Sequence, residues 1–157
     1  MKYYLDTEFY EDGRTIDLIS IALVCEDGRE LYLINREAQL HRVDNWVRRN
    51  VLPHLPGYDD PRWMTRARIR DEIFDFVEPP AEFWAYYADY DWVVFCQLFG
   101  RMIDLPGNYP KFCMDLKQLA VVKGNPTLPK QEVSEHDALA DARWNMRVHQ
   151  FLEGLGA

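Results

Sequence analysis

The chain has 157 residues, a net charge of −8 and a pI near 5.0; 48% of its residues are hydrophobic and 28% are charged. This composition is typical of a single globular domain, here residues 1–157, that is long enough to bury a full core. It excludes a protein that grips nucleic acid through a broad basic surface. It leaves open an acidic cleft that is neutralised by metal ions.

The cysteines and the apolar runs bear on the cellular compartment. Cys25, Cys96 and Cys113 are odd in number and far apart, so they form neither a disulfide framework nor a metal-ligand pattern. No apolar run approaches the length of a membrane span, and the first residues do not follow the pattern of a signal peptide. We therefore expect a cytoplasmic protein in a reducing environment.

Three β-strands are predicted at the start of the chain, over residues 2–10, 15–26 and 30–35. Each is an apolar and aromatic run, and the turn sequences Glu-Asp-Gly-Arg and Asp-Gly separate them. Strands joined by such short turns pair antiparallel.

Helices and shorter strands are predicted to alternate along the rest of the chain. The expected helices span 43–52, 65–77, 91–103, 115–122 and about 137–152, and the expected strands span 82–87 and 112–114. The sequence therefore predicts an α/β fold with a mixed five-stranded sheet, antiparallel over its first three strands and flanked by helices.

Two acidic residues, Asp6 and Glu8, lie in the first predicted strand. Side chains two positions apart on a strand share a face, so these carboxylates are expected to stand side by side where the strand leaves the core. Adjacent carboxylates in an apolar strand repel each other and lose hydration, and a divalent cation such as Mg²⁺ or Mn²⁺ is the usual compensation. The alternative is that both are solvated turn residues, because a lone Asp-x-Glu is a weak motif.

Asp89 and Asp91 follow the fourth predicted strand. Residues two apart on a helix point in nearly opposite directions, so only one of the two faces the sheet. Asp91 is in phase with an apolar stripe, which predicts that it faces the sheet while Asp89 caps the helix or meets solvent. A simple N-terminal cap is the alternative role for Asp91, and the choice of Asp89 or Asp91 as a metal ligand stays open. The stripe consists of Phe95, Leu98, Phe99 and Met102.

The third acidic segment is Glu135-His136-Asp137-Ala138-Leu139-Ala140-Asp141. Asp137 is predicted to cap the last helix, and Asp141 lies one turn inside it among alanines. His136 precedes the helix and is expected to reach the same point from another direction. A lone histidine is, however, often structural.

These motifs, in this order, resemble those of the DEDDh exonucleases. The resemblance rests on Asp6-Thr7-Glu8, on Tyr90-Asp91 after a strand, and on His136 with Asp141 five residues later. A further likeness is the Asp-x-x-x-Leu-Ala segment that begins at Asp115. The resemblance extends from residue 1 to about residue 151, and it is strongest to the small polyadenylate-specific 3′-exoribonucleases that are related to ribonuclease T.

The resemblance implies an RNase H-like fold and an enzyme that removes 5′-mononucleotides from 3′ ends with two metal ions. Asp6, Glu8, Asp91 and Asp141 would hold two Mg²⁺ ions, with Mn²⁺ as a substitute, and His136 would be the general base. The likeness alone implies a single-stranded RNA 3′ end or overhang as the substrate, a preference for adenylate, and a homodimer. A 3′-5′ DNA exonuclease, an RNase H-type endonuclease and a catalytically silent binding module are the alternatives; the spacing of His136 and Asp141 favours the exonuclease.

The residues around the first acidic pair are the candidate substrate contacts: Thr7, Phe9 and Tyr10. The family usually has small polar residues where this chain has Phe9-Tyr10, and often His-Asn where it has Tyr86-Tyr87. Both residues that follow the pair could stack on the terminal base, but strand alternation puts Phe9 on the face opposite the acids, where it would pack in the core.

The segment from Arg62 to Arg70 is the main basic cluster of the sequence. It would contact RNA phosphates, or it is the solvated face of a helix.

Overall fold

The computed structural model describes residues 1–131 and 135–155. It contains a six-stranded sheet in the order β4-β3-β2-β1-β5-β6. The strands are β1 (Lys2–Glu11), β2 (Ile16–Cys25), β3 (Glu30–Asn35), β4 (Trp63–Met64), β5 (Glu82–Ala85) and β6 (Met114–Asp115). The first three pair antiparallel, and β4, β5 and β6 each pair parallel to their neighbour.

Five α-helices accompany the sheet in the described residues. They are α1 (Asn45–Asn50), α2 (Arg66–Phe76), α3 (Ala88–Phe99), α4 (Leu116–Val122) and α5 (Ala138–Gly154). None of these helices is long and apolar enough to cross a bilayer.

The predicted α/β fold with antiparallel first strands is confirmed, with one correction to the number of strands. Trp63 and Met64 pair with the end of β3 and add a sixth strand at the sheet edge. Two residues between a turn and a helix carry too little periodicity to be read as a strand. The third predicted helix also ends earlier than expected, at Phe99, because Gly100 adopts a φ of +127° there.

The sheet is covered on both faces, and strand alternation decides which residues meet which helices. On one face, Tyr3, Leu5 and Phe83 pack with residues of α2 and α3. On the other, Tyr4 and Trp84 pack with residues of α4 and α5. The even-numbered residues of β1 therefore face α5, and Asp6 and Glu8 continue that row.

An extra residue in β2 creates a third, smaller cluster. Glu8 pairs with Ser20 and Phe9 pairs with Leu18, so Ile19 is unmatched on β1 and forms a β-bulge. Alternation is broken there: Leu18 and Ile21, three residues apart, both pack in the cluster under α2 and α3, whereas Ile19 packs with Val43 and Val47. The bulge thus places an apolar residue of the sheet against α1.

The sheet opens at the carboxyl end of β1. Its parallel pairing with β5 covers only Lys2 to Tyr4, whereas β1 continues to Glu11. Beyond Ala85 the chain turns into α3, so the second half of β1 is left without a strand on that side. Ligand sites of α/β folds lie at this edge, outside the carboxyl ends of parallel strands.

Candidate active site

The acidic pair of β1 lies where the sheet opens. Asp6 is partly buried, and Glu8 is 9% exposed. Asp6 pairs with Ala22 across the antiparallel ladder and Glu8 pairs with Ser20, so both side chains project from the same face toward α5. They are not solvated turn residues, because β1 runs on to Glu11 before the turn begins.

Asp91 reaches the same place from α3. It is 6% exposed, whereas Asp89 is exposed, so the helical phase correctly separated the two aspartates. Its Oδ1 accepts two hydrogen bonds from Thr7, one from the backbone N–H at 2.9 Å and one from the hydroxyl at 2.5 Å. Thr7 itself is buried, and these hydrogen bonds show that its side chain faces α3 rather than α5.

Asp141 comes from α5, which Asp137 caps by accepting bonds from the N–H groups of Leu139 and Ala140, as predicted. One turn beyond Asp141, the buried Asn145 donates a hydrogen bond from Nδ2 to the carbonyl oxygen of Leu5 at 2.9 Å. This bond ties α5 to β1 directly before Asp6. A carboxylate oxygen of Asp6, of Glu8 and of Asp141 all lie within 4.8 Å of one another.

His136 stands next to Asp141, in the turn before α5. Its backbone N–H donates to Oδ2 of Asp141 at 3.1 Å, and its φ of +67° is unusual for a residue other than glycine. Its imidazole lies against the indole of Trp46, with ring centroids 4.7 Å apart and planes at 76°. The histidine therefore joins the carboxylates from outside the helix, as its position in the sequence suggested.

Burial and mutual repulsion raise the pKa values of these carboxyl groups. Burial is the main cause for Asp6, whose pKa lies well above its ordinary value, followed by the charges of Asp91, Asp141 and Glu8. Burial and the charges of Asp141 and Asp91 raise the pKa of Glu8 to about 8. Burial raises the pKa of Asp91 to about 7, although the bonds from Thr7 act in the opposite direction. Such a set of carboxylates gains strongly from a cation.

The cluster opens into a cleft of about 530 Å³ with one acidic and one aromatic wall. The acidic wall is formed by the four carboxylates, the exposed Asp89 and His136. The aromatic wall is formed by Phe9, Tyr86, Tyr87 and Tyr90. Tyr87 and Tyr90 are 64% and 49% exposed, so their rings are open to a ligand in the cleft.

Phe9 and Tyr10 have separate locations. Phe9 packs against the cluster beneath α2 and α3, as alternation predicts, but its ring also lines the cleft and meets Tyr90 edge-on at 5.7 Å. Tyr10 packs near Ile19 and lines a different, smaller depression with Asp12 and Arg42. The structure therefore brings Phe9 to the acidic cluster and does not bring Tyr10 there.

The comparisons with known proteins agree with this geometry. The model of the 3′-5′ exoribonuclease Rv2179c-like domain matches residues 1–152. The chain belongs to this exoribonuclease family. Two curated relatives from Mycobacterium tuberculosis, the 3′-5′ exoribonucleases Rv2179c (strain H37Rv) and MT2234.1 (strain CDC 1551), are each 44% identical to it over 151 residues. The match covers 94% of this chain and 90% of each relative.

The fold of this Rv2179c-like chain is also found in a larger solved structure. The structure is similar to that of a moderately thermophilic exonuclease I from Methylocaldum szegediense, with a TM-score of 0.67 and 15% sequence identity. The match covers 98% of this chain but only 40% of that exonuclease. At this identity the likeness concerns the fold alone.

Some residues of this family member's cleft had no motif to mark them. Tyr87 adopts a left-handed conformation (φ 56°, ψ 55°) directly before α3, and Ala88 donates its N–H to Oδ2 of Asp115 at 2.9 Å. Asp115 also caps α4 through the N–H groups of Lys117 and Gln118. The segment that resembled an exonuclease motif thus holds the start of α3, the helix that carries Asp91.

Proposed function

We propose that this protein is a metal-dependent 3′-5′ exoribonuclease that releases 5′-mononucleotides from single-stranded RNA or from a 3′ overhang. One observation carries the proposal: Asp6, Glu8, Asp91 and Asp141 meet His136 in one cleft of a chain that belongs to an exoribonuclease family. The relatives whose names state this activity match along almost the whole chain.

The donor set fits divalent metal ions. Oxygens of Asp6, Glu8 and Asp141 lie within 4.8 Å of one another, and Mg²⁺ and Mn²⁺ favour carboxylate oxygens. We assign these three residues and Asp91 as the ligands of two ions, Mg²⁺ in the first instance. When bound, such ions stabilise the charge on the scissile phosphate and make a bound water more acidic.

The surrounding residues orient these ligands. Both hydrogen bonds from Thr7 go to Oδ1 of Asp91, which leaves its Oδ2 for a metal ion. We therefore expect Thr7 to act through Asp91 rather than by touching RNA. Asn145 keeps α5 against β1 and so fixes the separation of Asp6 from Asp141.

His136 is the proposed general base. Its imidazole lines the same cleft as Asp6 and Asp141, and an imidazole nitrogen would accept the proton of the attacking water. The bond from its backbone N–H to Asp141 holds it beside the proposed ligands whatever the orientation of the ring.

The aromatic wall is the proposed binding surface for the 3′-terminal bases. Stacking of a base on an aromatic ring contributes about 1–3 kcal/mol and tolerates any base. Phe9, Tyr87 and Tyr90 offer rings in the cleft, whereas Tyr10 lies elsewhere and is expected to contribute less.

The preference for RNA over DNA and for adenylate, a homodimeric assembly and a cytoplasmic location are further proposals from family likeness. The free thiols of Cys25, Cys96 and Cys113 support the location.

Digestion of matched 5′-labelled RNA and DNA homopolymers, with Mg²⁺ and after chelation by EDTA, tests the proposal. We expect stepwise shortening of RNA, fastest on oligoadenylate, and no shortening after chelation. Internal cuts would indicate an endonuclease, and equal digestion of DNA would indicate a DNA exonuclease. Binding of RNA without any cleavage would indicate a silent module.

A further inference from the structure

Trp46 is an exposed tryptophan at the rim of the cleft, with no role in the site as described so far. Its side chain is 53% exposed, and its indole meets the imidazole of His136 at a centroid distance of 4.7 Å. Single exposed aromatic rings are common, but the contact with His136 places this one beside the proposed general base.

Trp46 lies on α1, a helix that is held by an N-terminal cap and by packing on the sheet. Asp44 caps α1 by accepting a hydrogen bond from the N–H of Val47 at 2.9 Å. Val47 is buried with Val43 against Ile19, the bulged residue of β2. The backbone of Trp46 is therefore held in place by the burial of its neighbour Val47, whereas its own ring stays at the surface.

His136 needs such a contact for its ring. The hydrogen bond to Asp141 and the left-handed φ fix its backbone, but neither of them sets the rotation of the imidazole about χ2. An aromatic pair near the T-shaped arrangement is favourable enough to shift rotamer populations by about 2–13-fold. The indole supplies a wall of this kind, with planes at 76°.

We propose that Trp46 is a positioning residue that holds the imidazole of His136 in the orientation that proton transfer from water requires. The inference rests on the proposed function of His136 as the general base. Trp46 is outside the set of described residues that line the acidic cleft, so it acts through His136 rather than on the ions or the phosphate. Its loss should lower kcat and leave KM and metal affinity unchanged.

The experiment is a double-mutant cycle on kcat for a short oligoadenylate RNA with Mn²⁺, using Trp46→Ala, His136→Ala and the double variant. General acid–base catalysis contributes about 10²–10⁴-fold, and we expect Trp46→Ala to lose about 10-fold of it, near the upper end of the preference that an aromatic pair gives. In the His136→Ala background the same change should have no further effect, because its target is gone. Trp46→Phe, which keeps a ring, should stay within about threefold of the wild type.

The matched control is Phe74→Ala, which removes an aromatic ring of similar exposure, 56%, from α2. It should change neither kcat nor KM. Thermal melting of each variant separates loss of fold from loss of turnover. If Trp46→Ala fails to fold, Trp46→Leu replaces it: a larger loss of kcat than in Trp46→Phe supports the inference, and equal values overturn it.

The inference and the proposed function fail in different ways. A wild-type protein that releases no mononucleotides, or a His136→Ala variant with full activity, would remove the proposed function. An impaired His136→Ala beside an unimpaired Trp46→Ala would overturn the inference alone. So would losses that multiply in the double variant, or a raised KM, since these indicate direct stacking of Trp46 on RNA.

Discussion

Carboxylates occur in two regions of this protein with opposite electrostatics. Along the basic segment 62–70, each of four arginines is paired with an acid. Arg62 meets Asp60 at 2.8 Å, Arg66 meets Asp17 at 2.6 Å, and the remaining two pair with Glu72 and Asp71. Hydrogen bonds from Arg62 lower the pKa of Asp60 to about 2. In the cleft, burial and like charges instead raise the pKa of Glu8 to about 8.

The contrast shows what each region is built for. At the surface the chain supplies its own cations, and the arginines of 62–70 form ion pairs with neighbouring acids. This favours the interpretation of the segment as a solvated helix face over a contact with RNA phosphates. In the cleft the chain gathers negative charge, which a bound cation would balance. The same residue types therefore have a structural role in one place and a proposed catalytic role in the other.

The largest expected effect comes from removing one carboxylate of the cleft. Asp6→Asn should reduce turnover by about 10³-fold or more, because a metal ligand contributes several kcal/mol of transition-state stabilisation. The metal-free variant should fold at least as stably as the wild type, because one repelling charge is gone. Steady-state kinetics and thermal melting measure the two properties.

Asp60→Asn is the matched control for Asp6→Asn. It removes an acid that Arg62 already neutralises, so activity should persist and the free energy of unfolding should change little. Equal loss of activity in the two variants would remove the distinction between the regions.

The second effect is on stability as a function of pH. The pKa values of Glu8, about 8, and Asp91, about 7, lie above the ordinary values of 4.5 and 3.8, so the folded state binds more protons than the unfolded one. The metal-free protein should therefore lose stability as the pH rises from about 4 to about 8, by at least ~2 kcal/mol. Denaturant unfolding at several pH values measures this.

Addition of Mn²⁺ should reverse that trend, since metal ions bind the deprotonated carboxylates and favour the folded state more at high pH. Asp6→Asn should show a flatter pH dependence and a weaker response to Mn²⁺. A metal-free protein that gains stability toward pH 8 would contradict the raised pKa values.

A smaller effect is expected at the aromatic wall. Phe9→Ala and Tyr87→Ala should each raise KM for short RNA, because each removes a stacking surface. The expected loss of binding free energy is about 1–3 kcal/mol for each variant. Tyr10→Ala removes a ring from the separate depression and should change KM less. An equal effect of Tyr10→Ala would mean that RNA extends past the cleft toward β2.

The smallest effect is expected from the basic segment. Arg68→Gln and Arg70→Gln should leave the salt dependence of RNA binding unchanged, because both arginines are paired with acids on their own helix. Each lost phosphate contact would instead reduce the slope of log K against log salt by about 0.7 for a single strand. A reduction of that size would assign the segment to the RNA path.

Much of the fold could be predicted because local patterns agree with it. The turns at 11–14 and 27–28 set the antiparallel block, and the helical phase selected Asp91 over Asp89. Asp137 was recognisable as a cap from the helix formers that follow it. In these places the sequence and the tertiary contacts favour the same structure.

What could not be predicted depends on contacts between distant segments. The left-handed Tyr87 and the contact of Trp46 with His136 have no signal in the neighbouring residues. The bulge at Ile19 lies in an apolar run that reads equally well without it. The ligand roles of the four acids and the base role of His136 stay predictions for the kinetics to decide.

The bulge at Ile19 also determines where α1 packs on the sheet. A single additional residue in β2 gives α1 an apolar side chain to pack against, on the same face of the sheet as α5. Deletion of Ile19 would keep every acidic side chain in the chain yet remove the residue that packs against α1. Variants that change strand length near residue 19 would thus separate an intact charge cluster from a correctly aimed histidine, which no point substitution of the acids can do.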